Sequence, residues 1–160
     1  MKNTTLSGSL PKQNGFARFV HEKARTIVEI IAALFILLFV YTAINKIIAY
    51  PTLKLVLKDY PLISNFYEAI AWGLPAVELV TASLLFIPRL KLAGLYASLG
   101  LMSAFTVYLG YMLIFTPKLP CTCGGMLQKL SWPQHLIFNL LFILLAASAI
   151  RLKTKIGKYR

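Results

Sequence analysis

Hydrophobic residues along this chain are gathered into four long stretches separated by short polar segments. The stretches cover about residues 27–48, 66–87, 92–115 and 132–150. Each holds roughly 19–24 residues, and at ~1.5 Å rise per residue such a helix reaches across a hydrocarbon core of roughly 30 Å. Because lipid offers no partner to backbone N–H and C=O groups, each stretch is predicted to be helical. The pattern predicts an all-α membrane protein, a four-transmembrane-helix bundle.

The polar segments predict how the rest of the chain is organised. Residues 1–26 form a basic N-terminal tail, in which residues 16–25 are predicted to be a short interfacial helix. Residues 27–150 form the transmembrane domain, and residues 151–160 form a basic C-terminal tail. Of the 160 residues, 58% are hydrophobic, against roughly 45–50% in a soluble globular chain. This surplus is expected to face lipid, and no soluble domain is predicted.

Lysine and arginine residues are divided unequally between the two sides of the predicted bundle. Twelve lie on the side of the two termini: Lys2, Lys12, Arg18, Lys23, Arg25, Arg89, Lys91, Arg151, Lys153, Lys155, Lys158 and Arg160. Five lie on the opposite side: Lys46, Lys54, Lys58, Lys118 and Lys129. The positive-inside rule predicts that both termini are cytoplasmic and that the loop 116–131 faces the periplasm of a bacterial inner membrane. The net charge of +12 then fits anionic lipid headgroups, and nucleic acid is not an expected partner.

Glu78 interrupts the apolar pattern near the middle of the second predicted span. An uncompensated carboxylate at that depth costs ~2.5–3.5 kcal/mol on insertion scales. It is therefore expected to be protonated, hydrogen-bonded or paired, and Asn45 and Lys46 near the end of the first span are the candidate partners. Two interpretations remain open. Glu78 either holds helices together or takes part in proton or redox chemistry.

The third predicted span contains no ionisable residue after Lys91 but is rich in small side chains. Three pairs are spaced four residues apart: Gly94 with Ser98, Gly100 with Ala104, and Thr106 with Gly110. Such pairs allow two helices in a membrane to approach closely. A structural role is predicted for this span.

The second outer loop holds both cysteines of the protein, Cys121 and Cys123, in the run 120–125 (Pro-Cys-Thr-Cys-Gly-Gly). On the predicted extracytoplasmic side, thiols oxidise and disulfides persist. A disulfide within a Cys-x-Cys pair closes a small ring whose geometry is expected to be strained, which makes the bond labile. The motif therefore favours a redox or ligand role over a stabilising one.

The fourth predicted span begins with a polar and aromatic stripe. Trp132, His135 and Asn139 are spaced so that they share one helix face near the cysteine loop. A histidine beside a cysteine pair can lower a thiol pKa, carry a proton during dithiol oxidation, or bind a metal ion. The alternative is that His135 only forms a hydrogen bond with a lipid headgroup or a backbone group. Trp132 is then an interfacial anchor.

These residues together resemble a known family. The run 120–125, followed by Trp132, His135 and Asn139, is similar to the MauE branch of the DoxX-like membrane proteins, particularly its short Bacteroidetes-type form. Asn45 with Lys46 and the run 74–78 (Leu-Pro-Ala-Val-Glu) also resemble features of that family. The resemblance implies a four-helix bundle associated with thiol and disulfide chemistry, since the namesake is required for maturation of a disulfide-rich exported enzyme.

The leading hypothesis is a membrane thiol–disulfide redox protein that exchanges electrons with a thiol-containing partner outside the cytoplasm or in the membrane. Cys121, Cys123 and His135 are its candidate catalytic residues, and a possible enzymatic activity is that of a thiol–disulfide oxidoreductase. The sequence assigns no cofactor, and a quinone is the candidate electron acceptor. One alternative is a non-catalytic accessory subunit of a larger membrane complex. Another is Cu(I) handling, because two thiolates and one imidazole suit that ion but fall one ligand short of a structural zinc site.

Overall fold

The computed structural model describes residues 15–58, 66–115 and 132–158, and these residues form five helices. They are α1 (Gly15–Ile48), α2 (Tyr50–Lys58), α3 (Tyr67–Phe86), α4 (Lys91–Phe115) and α5 (Trp132–Lys158). Four of them, all except α2, are long and apolar enough to cross a membrane. No strand occurs among the described residues. The predicted all-α, four-transmembrane-helix fold is confirmed.

The four long helices pack side by side around one core. α1 packs chiefly against α3 and α5, and α4 packs against the same two helices, whereas α1 and α4 touch only slightly across the diagonal. Because α3 and α4 are joined by a short turn, they run in opposite directions. We use "loop end" for the end of the bundle at which α1 and α4 finish and α3 and α5 begin. The segment 116–131, which carries both cysteines, connects α4 to α5 at this end.

Two of the predicted boundaries differ from the structure. α1 begins at Gly15, so residues 16–25 are continuous with the first span and do not form a separate interfacial helix. α5 continues to Lys158, well beyond the predicted limit at residue 150. Lysine and arginine are frequent in both extensions, alanine and glutamate also occur in the first, and these residues have high helix propensity. A helix therefore continues past the point at which the apolar pattern stops.

Three phenylalanines form the centre of the bundle. Phe35 and Phe39 of α1 are fully buried, and Phe142 of α5 is 8% exposed. The Phe35 and Phe142 rings meet edge to face, with centroids 5.2 Å apart. Since lipid tails are as apolar as these side chains, the helices are held together mainly by close packing and polar contacts.

The closest approach between α3 and α4 occurs at Gly94. A Cβ atom at this position would lie 2.8 Å from the Leu85 backbone nitrogen, closer than a carbon atom can approach it. Ser98, one turn further along α4, is fully buried and donates a hydrogen bond to the Gly94 carbonyl oxygen at 2.8 Å. At Gly100 and Gly110, in contrast, a Cβ atom would meet nothing within 4 Å. Of the three small-residue pairs, only the first serves a close helix contact among the described residues.

Candidate functional site

The most buried charged pair in the described structure is Lys46 with Glu78. The Lys46 Nζ atom donates to Glu78 Oε1 at 2.5 Å, which joins α1 to α3. Glu78 is 1% exposed and the Lys46 side chain is 16% exposed. The prediction that Glu78 is paired, with Lys46 as a candidate partner, is therefore confirmed. The pair provides an opposite charge where an isolated carboxylate would be costly.

Helix geometry explains why these two residues meet. Side chains on an α-helix lean toward the N-terminus of their own helix. Lys46 is near the end of α1, so its side chain is directed from the loop end into the bundle. Glu78 lies eleven residues after Tyr67, or roughly 16 Å along α3 at ~1.5 Å per residue, and its side chain leans back toward the loop end. The flexible four-carbon side chain of Lys46 therefore reaches the Glu78 carboxyl from the loop end.

One oxygen of the Glu78 carboxyl remains unsatisfied. Among the described residues, Oε2 is buried and has no hydrogen-bond partner. Thr42, one turn before Lys46, lies beside the carboxyl. Its hydroxyl, however, donates to the Phe39 carbonyl oxygen at 3.2 Å. On the other side of the pair, the Lys46 Nζ atom lies 5.5 Å from the centroid of the Phe105 ring of α4.

Asn45, the other predicted partner of Glu78, does not take part in this pair. It is the neighbour of Lys46 in sequence, so it faces a different direction around α1. Its Nδ2 atom donates to the Tyr41 carbonyl oxygen at 2.8 Å, a bond within its own helix. Of the two candidate partners, Lys46 is therefore the one that pairs with Glu78 in this structure.

His135 and Asn139 extend the polar region to α5. His135 is partly buried, and the positive charge of Lys46 is close enough to act on it electrostatically. Asn139, one turn further along α5, is 5% exposed. The shared face of His135 and Asn139 is therefore turned toward the bundle interior. The side chain of Trp132, together with Cys121 and Cys123, lies outside the described residues.

Each of the four long helices thus contributes to one polar cluster, which we call the intramembrane cluster: Lys46 of α1, Glu78 of α3, Phe105 of α4 and His135 of α5. The cluster offers a cation, a carboxylate, an aromatic face and an imidazole. Lys46, Glu78 and His135 can donate or accept hydrogen bonds in a low-dielectric environment. Within residues 15–58, 66–115 and 132–158 no three His, Cys, Asp or Glu side chains are grouped as metal ligands.

A second ion pair at the opposite end of the bundle is not evident from the sequence. Lys91, the first residue of α4, donates a hydrogen bond to Glu29 of α1. The Lys91 side chain is 7% exposed and that of Glu29 is 51% exposed. From the sequence, Lys91 is only one of the twelve lysine and arginine residues on the side of the two termini. Its burial follows from the tight turn before α4, which sequence spacing alone does not reveal.

A third ion pair, Lys54 with Glu68, lies on the surface at the loop end. The Lys54 Nζ atom donates to Glu68 Oε1 at 2.6 Å and joins α2 to the start of α3. This hydrogen bond raises the pKa of Lys54 above its ordinary value, so the pair is charged at neutral pH. It matches the Lys46–Glu78 pair in chemistry but not in burial, which makes it a control for that pair.

We expect the variant Lys54→Gln to lower the melting temperature of the purified protein only slightly. Exposed ion pairs contribute little because water and salt screen them and because two long side chains must be ordered. Thermal unfolding followed by circular dichroism, at low and high salt, measures the effect. A large loss of stability at both salt concentrations would contradict this expectation.

The fold and the intramembrane cluster define a class: a multi-pass membrane protein whose four spanning helices enclose a buried ion pair. Comparison with protein families makes this more specific. The family model described as methylamine utilisation protein MauE matches residues 24–152. This match covers α3 and α4, most of α1 and α5, and the connecting segment with both cysteines, so the chain belongs to the MauE family. No match was found among curated proteins or among solved structures.

Proposed function

We propose that this protein is a membrane thiol–disulfide redox protein in which Cys121 and Cys123 exchange electrons with a partner protein. The observation that supports it best is that Lys46 and His135 lie near the loop end, from which the cysteine segment departs, and that Lys46 connects them to Glu78 deeper in the bundle. A redox pair needs nearby groups that accept and release protons. Lys46 and His135 of the intramembrane cluster are groups of this kind, and their position near the loop end supports the proposal.

Chain connectivity limits how far the cysteines can be from this end. Cys121 is six residues after Phe115, the last residue of α4. A fully extended chain spans at most ~3.6 Å per residue, so its Cα atom stays within roughly 22 Å of Phe115. Cys123 precedes the start of α5 by nine residues and is limited in the same way. Both thiols therefore act from the loop end, on the side that the positive-inside rule assigns to the periplasm.

The proposed reaction has two balanced halves. A partner dithiol transfers two electrons and two protons to the Cys121–Cys123 disulfide, through a mixed disulfide, and leaves as a disulfide. The reduced cysteine pair then passes two electrons and two protons to an acceptor, and a membrane quinone is the acceptor class that the location favours. His135 assists by holding a proton as each thiol is deprotonated.

The number of cysteines sets a requirement on this scheme. With two cysteines in the chain, electrons cannot pass internally from one cysteine pair to a second. Either Cys121 and Cys123 react with both the partner and the acceptor, or another protein supplies the second pair. Partner and electron acceptor must then approach the same end of the bundle.

Single cysteine variants test the proposal in intact membranes. We expect Cys121→Ser or Cys123→Ser to accumulate a mixed disulfide with a partner, because the thiol that normally resolves it is missing. Acid trapping, alkylation with a mass tag and non-reducing electrophoresis detect the adduct, which a reductant should release. The double variant Cys121→Ser/Cys123→Ser is the matched control and should form none. Absence of an adduct in both single variants, with both proteins inserted in the membrane, would contradict the proposal.

The family description favours a second candidate, an accessory membrane protein of the methylamine-utilisation type that has no redox chemistry of its own. In this case the four apolar helix faces bind a larger assembly, and the cysteines form a local clip. The double cysteine variant separates the two candidates. If the double cysteine variant keeps full activity in cells that lose this activity on deletion of the protein, the accessory role is favoured.

Stoichiometric copper that is lost in the cysteine variants would instead favour Cu(I) handling.

A further inference from the structure

The unsatisfied Glu78 Oε2 atom is the feature of the intramembrane cluster that the proposed thiol chemistry leaves unexplained. It is buried, in a residue that is 1% exposed, and it accepts no hydrogen bond among the described residues, because the neighbouring Thr42 hydroxyl donates to the Phe39 carbonyl oxygen instead. A buried acceptor without a donor loses its hydration with no compensation. Groups of this kind are uncommon in proteins, and they often mark a place where a ligand supplies the missing bond.

The chemistry of the pair limits what such a ligand can be. An ionised carboxylate only accepts hydrogen bonds, so the ligand must bring a donor to Oε2. The Lys46 ammonium has three N–H donors and uses one on Glu78 Oε1. It can therefore donate to an oxygen of the same ligand. The Lys46 ammonium lies over the Phe105 ring, with Nζ 5.5 Å from the ring centroid, so an aromatic ring adjoins the ion pair on the Lys46 side.

The position of the pair limits the ligand further. Glu78 lies in a helix that is long and apolar enough to span the membrane, near its midpoint. A ligand that reaches it from the bilayer must be soluble in lipid. It needs a hydroxyl donor, an oxygen acceptor and a flat aromatic or quinoid ring. A quinol headgroup on an apolar tail combines these properties.

We infer that Lys46, Glu78 and Phe105 form the headgroup site for a membrane quinone and bind its reduced form more tightly than its oxidised form. The inference rests on the proposed function, because it assigns the site at which the thiols' electron acceptor binds. Two cysteine thiols lose two electrons and two protons and form one S–S bond. The quinone takes up these two electrons and two protons and becomes a quinol.

The preference for quinol follows from the hydrogen bonds available. Lys46 can donate to an oxygen of either form. Only the quinol has a hydroxyl that donates to Glu78 Oε2, since the quinone has no O–H group. A hydrogen bond to a charged acceptor is expected to change affinity by roughly tenfold or more. Tighter binding of the reduced form favours electron transfer from thiols to the bound quinone.

A binding experiment tests the site without any turnover. The full-length protein with Cys121→Ser/Cys123→Ser is placed in lipid nanodiscs, so that neither redox form reacts with a thiol. Binding of a tritiated decyl-tailed quinol is measured by scintillation proximity, and unlabelled quinol or quinone competes with it. We expect the quinol to compete at a roughly tenfold or more lower concentration than the quinone.

Two paired variants provide the comparison. Lys46→Gln/Glu78→Gln removes both charges and keeps two amides that can bond to each other, and we expect it to lose the preference for quinol. Lys54→Gln/Glu68→Gln makes the same change at the exposed pair and should keep the preference. Circular dichroism checks that both variants are folded. Equal affinity for the two forms, a preference that persists in the first variant, or absence of quinol binding would each overturn the inference.

The outcome is separate from the test of the proposed function. Quinol binding in the cysteine-free protein does not depend on thiols, so it survives if mixed disulfides are never found. Conversely, a mixed disulfide with a partner would support the redox proposal even if this site binds no quinol. In that case a water molecule or the Thr42 hydroxyl is the donor for Oε2, and the electron acceptor binds elsewhere.

Discussion

Lys46→Met is expected to destabilise the protein by about 3 kcal/mol, because it leaves the Glu78 carboxylate buried without a cation. Glu78 is 1% exposed, and its other oxygen already lacks a partner. The carboxyl must then either remain charged in an apolar surrounding or take up a proton, and both cost free energy. Unfolding in a mixed-micelle titration, followed by circular dichroism, measures the loss.

The double variant Lys46→Met/Glu78→Leu shows whether the loss comes from the unpaired charge. Replacing a whole buried ion pair by apolar residues is often close to neutral, so we expect the double variant to recover most of the stability. The corresponding cycle on Lys54 and Glu68 should give much smaller changes. A double variant as unstable as Lys46→Met would indicate that packing around Lys46, and not its charge, is what matters.

Gly94→Val is expected to have the next largest effect, a loss of about 3 kcal/mol from overpacking. A Cβ atom at Gly94 would lie 2.8 Å from the Leu85 backbone nitrogen and 3.0 Å from the Leu84 carbonyl carbon. Backbone atoms cannot rotate aside as a flexible side chain can, so α3 and α4 must separate near their turn. The melting temperature of the purified protein reports the loss.

Gly100→Ala is the matched control for this substitution. It lies in the same helix, and a Cβ atom there meets nothing within 4 Å. Alanine has the higher helix propensity by roughly 1 kcal/mol, so this variant should be as stable as the original protein or slightly more stable. Equal destabilisation at the two glycines would contradict the close contact between α3 and α4.

The sequence predicts the spanning helices well because the membrane imposes a simple requirement. An apolar stretch of about 20 residues has few alternatives to a helix in lipid. The ends are predicted less well. α1 begins earlier than predicted, at Gly15, and α5 continues to Lys158, because polar residues with high helix propensity adjoin the apolar stretches. Hydropathy reports which residues suit lipid, whereas backbone hydrogen bonding decides where a helix stops.

In the candidate site, too, some residues can be predicted from the sequence and others cannot. Glu78 is found from sequence because an ionisable residue in an apolar stretch is conspicuous, and its partner Lys46 follows from charge. Asn45 was an equally good candidate by type, and only the rotation of α1 distinguishes the two neighbours. Phe105 has no sequence signal at all, since it is one of many apolar residues in α4. Its place beside Lys46 depends on how α4 packs into the bundle.

The unequal lengths of the helices have a consequence for the membrane around this protein. α3 has 20 residues and α1 has 34, which correspond to roughly 30 Å and 51 Å at ~1.5 Å per residue. In a thick bilayer, hydrophobic mismatch therefore falls first on α3, the shortest span, and local thinning of the lipid can relieve this mismatch. Because α3 carries Glu78, bilayer thickness becomes a variable that sets how deeply the buried charge pair is immersed.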